Sequence, residues 1–169
     1  METRQCCPAL IMEQLVDEYG TSMLRLCCTY LKDETQAEDA VQDAFVRIYR
    51  NWPGFESKAA EKAWVMRVTI NICKDILRTV WKRRVTLVEE YPEIPAQNKM
   101  PKEEGRLFQE ISRLNQRYRE VILLYYYERL NISEIAKILK APQSTVSVRL
   151  SRARKILAKN LEGVQPEEL

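Results

Sequence analysis

NISEIAKILKAPQSTVSVRLSRARKIL, residues Asn131 to Leu157, reads as a short helix, a tight turn and a second helix that is basic on one side. Ile135, Ala136, Ile138 and Leu139 lay an apolar stripe along the first helix. Asn131 is placed to cap it, with Glu134 three residues on to complete a capping box. Pro142 lacks the N–H that would continue this helix, so it stops it and can open the next. In the second helix Val146, Leu150, Ala153 and Leu157 fall at spacings of four, three and four, which predicts one buried face. Gln143, Ser144, Ser147, Arg149 and Arg152 are left to point outward. Between Ile135 and Leu161 there are seven basic residues and no acid, although the whole chain nets only +3. Charge segregated this sharply onto a helix-turn-helix points to the DNA backbone. A basic amphipathic helix merely facing solvent is the plainer alternative. The turn, the two stripes and the missing acids together speak against it.

The rest of the chain frames that motif. A length of 169 residues allows one medium domain or two small ones. Hydrophobic residues make up 46%, enough for a core, and only four glycines among many helix formers argue against a sheet-rich fold. No apolar run approaches the roughly 18 residues that span a bilayer, and METRQCCPALIMEQ has no signal-peptide core. A cytoplasmic location is the expectation. The five cysteines are Cys6, Cys7, Cys27, Cys28 and Cys73, with no CxxC and no histidine anywhere. Helical neighbours such as Cys27 and Cys28 diverge by about 100° and chelate one metal poorly. Cys27, Cys28 and Cys73 therefore read as small core residues, and Cys6 and Cys7 as part of a mobile terminus. Without histidine, a phosphate-binding glycine loop or a ligand cluster, no enzyme, metal, cofactor or small-molecule substrate is expected.

Three blocks follow one another. Residues 9–84 read as helical throughout. Leu15, Tyr19, Met23, Leu26, Cys27 and Tyr30 recur at helical spacing. Thr35 and Glu38 form a capping-box signature for a helix whose apolar face is Ala37, Val41, Ala44, Phe45 and Ile48, broken at Trp52-Pro53-Gly54. A third helix carries Trp64, Val68, Ile72, Ile76 and Val80, widened by Cys73 and Leu77. Residues 85–105 hold three prolines, a glycine and five acids against two lysines, the composition of a flexible linker. Residues 106–161 form a second helical unit, in which Leu114, Tyr118, Val121, Ile122 and Tyr125 make a first long stripe before the helix-turn-helix; 162–169 is an acidic tail. The predicted architecture is all-α, with two small helical domains joined by the linker.

Charge is sorted inside the first block too. Asp33 to Asp43 contains five acids and no base, while Lys62 to Arg84 contains seven bases and one acid. An acidic helix repels DNA and suits a protein partner. A basic helix with Trp64 and Trp81 interleaved suits a nucleic-acid strand through phosphate contact and stacking. Alternatively the two helices simply pair with each other.

Taken in order, these segments resemble the extracytoplasmic-function (ECF) group of bacterial RNA polymerase sigma factors. QAEDAVQDAFVRIYRNW is similar to the family's acidic helix, AWVMRVTINICKDILRTVWKRR to its promoter −10 reader, and LNQRYREVILLYYYERLNISEIAKILKAPQSTVSVRLSRARKIL to its −35 reader. The resemblance implies a promoter-specificity subunit that brings core polymerase to −10 and −35 elements, in a stress- or envelope-response regulon. It implies docking on the β′ clamp helices through Asp39, Gln42, Asp43 and Arg47, with further contact to β. Phe45 matches the same helix but lies on its apolar stripe. For the −10 element it implies Asn71, Asp75 and Arg78, a loop between Asn51 and Lys62 that holds a flipped base, and Trp64 as either a core anchor or a stacking surface. For the −35 element it implies Gln143, Ser144, Thr145, Ser147, Arg149, Arg152 and Arg154. Two residues depart from the family pattern: Lys140 and Ser144 stand where many relatives have glycine. The family also implies an anti-sigma factor that holds the protein inactive, in many members at the membrane. The alternative is a stand-alone helix-turn-helix regulator on operator DNA. That reading needs a dimerisation surface, and no heptad seam offers one.

Overall fold

The computed structural model describes residues 7–86 and 105–162. Most of the expected linker, Cys6 and nearly all of the expected tail lie outside the described residues. Within them the chain is helical, with no strand. It divides into two compact units, Met1–Met100 and Pro101–Leu169. Among the described residues no helix is long and apolar enough to cross a membrane.

The first unit packs three helices, α1 (Ala9–Leu31), α2 (Glu34–Arg50) and α3 (Lys58–Thr86). Leu15, Tyr19, Met23, Leu26, Cys27 and Tyr30 are all buried on α1, as their spacing predicts. Lys32 ends α1 in the left-handed region at φ 56°, its N–H donating to the Cys28 carbonyl. The turn into α2 is only two residues long, and Asp33 caps the new helix by accepting the Gln36 N–H at 2.8 Å. The expected Thr35–Glu38 box is therefore displaced. Asp33 reaches the free N–H groups first and accepts as well as threonine does.

The buried face of α2 is Ala37, Ala40, Ala44 and Ile48, with Val41 and Phe45 half-buried at its edge. Three alanines in that face let neighbouring backbones approach closely. The expected stripe on α3 is out of phase. Val65, Met66, Thr69, Ile70, Ile72 and Cys73 are buried, whereas Trp64, Val68, Ile76 and Val80 are only half-buried. Steps of four residues advance about 400° around a helix, so five such residues drift through about 160°, nearly half of its circumference. They cannot share one face. Past Cys73 one side of the helix opens to solvent, and Leu77 and Trp81 stand exposed.

The thiols of Cys27 and Cys73 meet at 3.5 Å between α1 and α3, both fully buried. The hydrogen bond to Cys73, reinforced by burial, pushes the Cys27 thiol up, so Cys27 stays a neutral piece of core. Cys7 departs from its expected mobile setting. Its N–H donates to the Tyr49 carbonyl at 3.0 Å and its side chain is buried.

The second unit holds α4 (Arg106–Arg113), α5 (Gln116–Ile122) running into a π-helical turn (Leu123–Tyr127), α6 (Ile132–Leu139) and α7 (Gln143–Asn160). The expected long stripe from Leu114 to Tyr125 is interrupted. Leu114 leaves the helix at ψ 151°, and the Asn115 side chain caps α5 by accepting the Arg117 N–H. Buried Arg119 steadies this break by donating to the Ser112 carbonyl at 2.7 Å and to Gln116 Oε1 at 2.6 Å. The helix-turn-helix follows its prediction closely. Asn131 and Glu134 exchange both bonds of a capping box, at 2.8 and 2.9 Å. Val146, Leu150, Ala153 and Leu157 are the buried residues of α7. Pro142 sits at the N-cap, one position ahead of the first helical residue. Lys140 closes α6 at φ 52°, the conformation a glycine would adopt without strain.

Candidate nucleic-acid interface

On α2, Asp39, Gln42, Asp43 and Arg47 are all exposed. Among the described residues neither Asp39 nor Asp43 enters an ion pair. Val46 and Tyr49 continue the row of Asp39 and Gln42 at spacings of four and three, and both are exposed. Sequence reasoning passed over them because they are apolar; the signal was their register with Gln42.

Arg47 faces α3 instead. Its guanidinium lies 3.5 Å from the Asp75 carboxylate, which also accepts from Arg78 at 2.7 Å. Asp75 thus gathers one arginine from the acidic helix and one from the basic helix. The two helices do pair at this point, but through an exchanged pair of charges. Asn71 is half-buried one turn below, and Arg78 is exposed.

Trp64 belongs to a cluster of three rings. Its centroid lies 5.9 Å from Trp52 and 5.5 Å from Phe55, and those two are 5.1 Å apart. The cluster ties the loop after α2 to the first turns of α3. One turn earlier, buried Glu61 accepts from the Tyr19 hydroxyl at 3.0 Å and from Lys58 Nζ at 2.8 Å. Lys58 also donates to Glu18 at 2.8 Å. These bonds raise the Lys58 pKa and lower that of Glu18, while burial, with the bond to Glu61, raises that of Tyr19. The loop is therefore anchored beside Lys58, Glu18 and Tyr19, each held in one protonation state near neutral pH.

On α7, Gln143, Ser144, Ser147 and Arg152 are exposed and Thr145 is half-buried. Arg149 and Arg154 are engaged with the protein. Arg149 is 24% exposed and its guanidinium lies 3.4 Å from Glu120, a buried carboxylate on α5. Arg154 Nε donates to the Tyr126 hydroxyl at 2.6 Å, and its guanidinium lies 5.4 and 5.5 Å from the rings of Tyr125 and Tyr126. The two arginines flank the buried stripe, one on each side. Val148, Ser151 and Lys155 occupy the outward face between them, and all three are exposed. A crevice of about 360 Å³ opens beside this face, lined by Arg117 and Tyr118 of α5 and by Ser144, Thr145, Arg149 and Arg152 of α7. Three guanidinium groups around one opening favour an anion such as a phosphate. Arg117 escaped the sequence reading because it depends on the break at Asn115.

Comparisons with known proteins bear on the family and the fold. Residues 15–83 match the family model for sigma-70 region 2, and residues 104–157 match that for sigma-70 region 4. The chain is 31% identical over 166 residues to the ECF RNA polymerase sigma factor SigW of Bacillus subtilis (strain 168), covering 89% of this chain and 88% of that one. It is 24% identical to SigX of the same organism, covering 90% and 84%. In fold it is similar to the sigma factor RpoE of Bartonella quintana, solved in complex with the anti-sigma factor NepR, at a TM-score of 0.69 and 22% identity over 90% of this chain and 99% of that one. With both domain matches in order along the chain and a relative matched over most of its length, the chain belongs to the ECF group of RNA polymerase sigma factors, promoter-specificity subunits that are not themselves enzymes.

Proposed function

We propose a division of labour among the exposed helix faces. Residues 9–84 bind core polymerase through the outward row of α2, with Asp39, Gln42 and Asp43 at its centre, against the β′ clamp helices. They read and open the −10 element through α3, with Asn71 and Arg78 toward the strand and Trp64 holding the loop that receives an extruded base. Residues 106–161 read the −35 element through α7, with Gln143, Ser144, Thr145 and Ser147 at base edges and Arg152 at phosphate. Residues 85–105 tether the two. What supports this most is the sorting of exposed charge by helix: Asp39 and Asp43 are exposed on α2, and basic residues are exposed on α3 and on α7. A basic helix binds the phosphate backbone, and an acidic one is left for protein.

No bond chemistry is needed. Extruding a base costs a few kcal/mol, and contacts made only to the open strand offset that cost. Arg47 and Asp75 sit between the two faces in this scheme, linked by their ion pair. Arg149 and Arg154 set the pose of α7, and from there reach the backbone.

The relative solved with NepR supports a further part of the proposal, that an anti-sigma factor restrains this chain too. Restraint at the membrane and release into a stress- or envelope-response regulon complete the reading. Exchange of Asp39 and Asp43 for lysine tests its first half. The doubly substituted protein should keep its melting temperature and lose retention by immobilised core polymerase. Retention equal to that of the native chain would refute the docking assignment.

A further inference from the structure

Of the three tryptophans in the chain, two are held in the aromatic cluster before and at the start of α3. Trp81 is different. It lies on the last described turns of α3, beyond Cys73, and is 69% exposed. Leu77, one turn below, is exposed as well. Single apolar residues on a surface are ordinary, but a tryptophan this open, with a second exposed apolar side chain beside it, is not.

Its register gives it a partner. Arg67, Asn71, Lys74, Arg78 and Trp81 follow one another at spacings of four, three, four and three, so they form one row along α3. Arg67, Lys74 and Arg78 are exposed and Asn71 is half-buried. Among the described residues Arg67 and Lys74 enter no ion pair. The row spans fourteen residue steps, about 21 Å at 1.5 Å each. That matches about six nucleotide steps at the 3.4 Å spacing of one strand. A basic row that ends in an open aromatic ring is the pairing of charge and stacking surface that single strands bind. A protein occupant would have to be acidic along the whole row and apolar only at its end.

We infer that Trp81 is a further DNA-contacting residue, packing flat on a nucleobase of the promoter strand at the edge of the opened segment. The contact is tolerant of sequence, because every base has a π face. It adds grip on the open strand without reading it. Asn71 and Arg78 fix position; Trp81 adds hold.

The inference rests on the assignment of α3 to promoter DNA, so the test carries a control for it. Reconstituted holoenzymes bearing Trp81→Ala, Trp81→Phe and Arg78→Ala are titrated with a forked promoter DNA whose −10 strand is unpaired, at several salt concentrations. Trp81→Ala should weaken binding by about 5- to 100-fold, the range a base–aromatic stack carries. Trp81→Phe should recover most of that loss. Arg78→Ala should lower the slope of log affinity against log salt by about one, whereas Trp81→Ala leaves the slope unchanged because the ring is uncharged. Normal binding by Trp81→Ala, or loss of core polymerase retention in place of DNA affinity, overturns the inference while leaving the assignment of α3 standing. Normal affinity and slope for Arg78→Ala overturns both.

Discussion

Arg149 and Arg154 lie on neighbouring turns of α7, and each is bound to a residue nearly thirty positions earlier in the chain. Glu120 is 29 residues from Arg149 and Tyr126 is 28 from Arg154, so no helical spacing could announce either contact. The sequence marks both arginines as basic and near the recognition face, and that much is legible. Only packing decides that one side chain turns toward α5 and the other toward the π-helical turn. Removing Arg149 leaves the Glu120 carboxylate buried without this cation. Arg149→Met should therefore destabilise the C-terminal unit by about 1–3 kcal/mol in urea melts. Adding Glu120→Gln should recover part of the loss, because the buried charge that has lost this cation goes with it. Unchanged stability in the single variant would mean that Arg149 is free for DNA alone.

Helices differ in how plainly the sequence shows them. The helix-turn-helix was legible almost residue by residue, because its cap, its stripe and its stop are all local. Asn131 with Glu134, the spacing of Val146 to Leu157, and Pro142 each act within a turn or two. The phase of α3 was not legible. That helix is packed by α1 and α2 as far as Cys73 and Asp75 and opens to solvent beyond them, and contacts so distant in sequence leave no local signal. The break between α4 and α5 was missed for a related reason. Buried Arg119 stabilises it from within, and a buried arginine does not stand out in a sequence. Lys140 gives the most direct test at this scale. It holds φ at 52°, where a side chain is strained and glycine is not. Lys140→Gly should raise the stability of the C-terminal unit by about 1 kcal/mol and leave the angle of α7 unchanged. A drop in the urea midpoint would mean that the lysine side chain supports the turn by more than its strain costs.

Across the whole molecule, the sorting of charge was visible from the sequence and its purpose was not. An acidic stretch followed by a basic one is equally consistent with two helices that neutralise each other. The structure resolves this at one point, Asp75, where α2 and α3 exchange an arginine and an aspartate while Asp39 and Asp43 stay outward. In the proposed reading one chain then carries two kinds of surface, for protein on α2 and for nucleic acid on α3 and α7. Membership of the ECF sigma factors gives that arrangement its sense, since such a subunit must engage polymerase and promoter together. The most direct test is run-off transcription by core polymerase on a random promoter library, with and without the protein, beside a gel shift of the protein alone. Transcripts should begin downstream of one shared pair of elements only when both components are present, and the protein alone should shift no promoter tightly. Tight sequence-specific binding by the protein alone, with no start site that depends on core polymerase, would contradict the account.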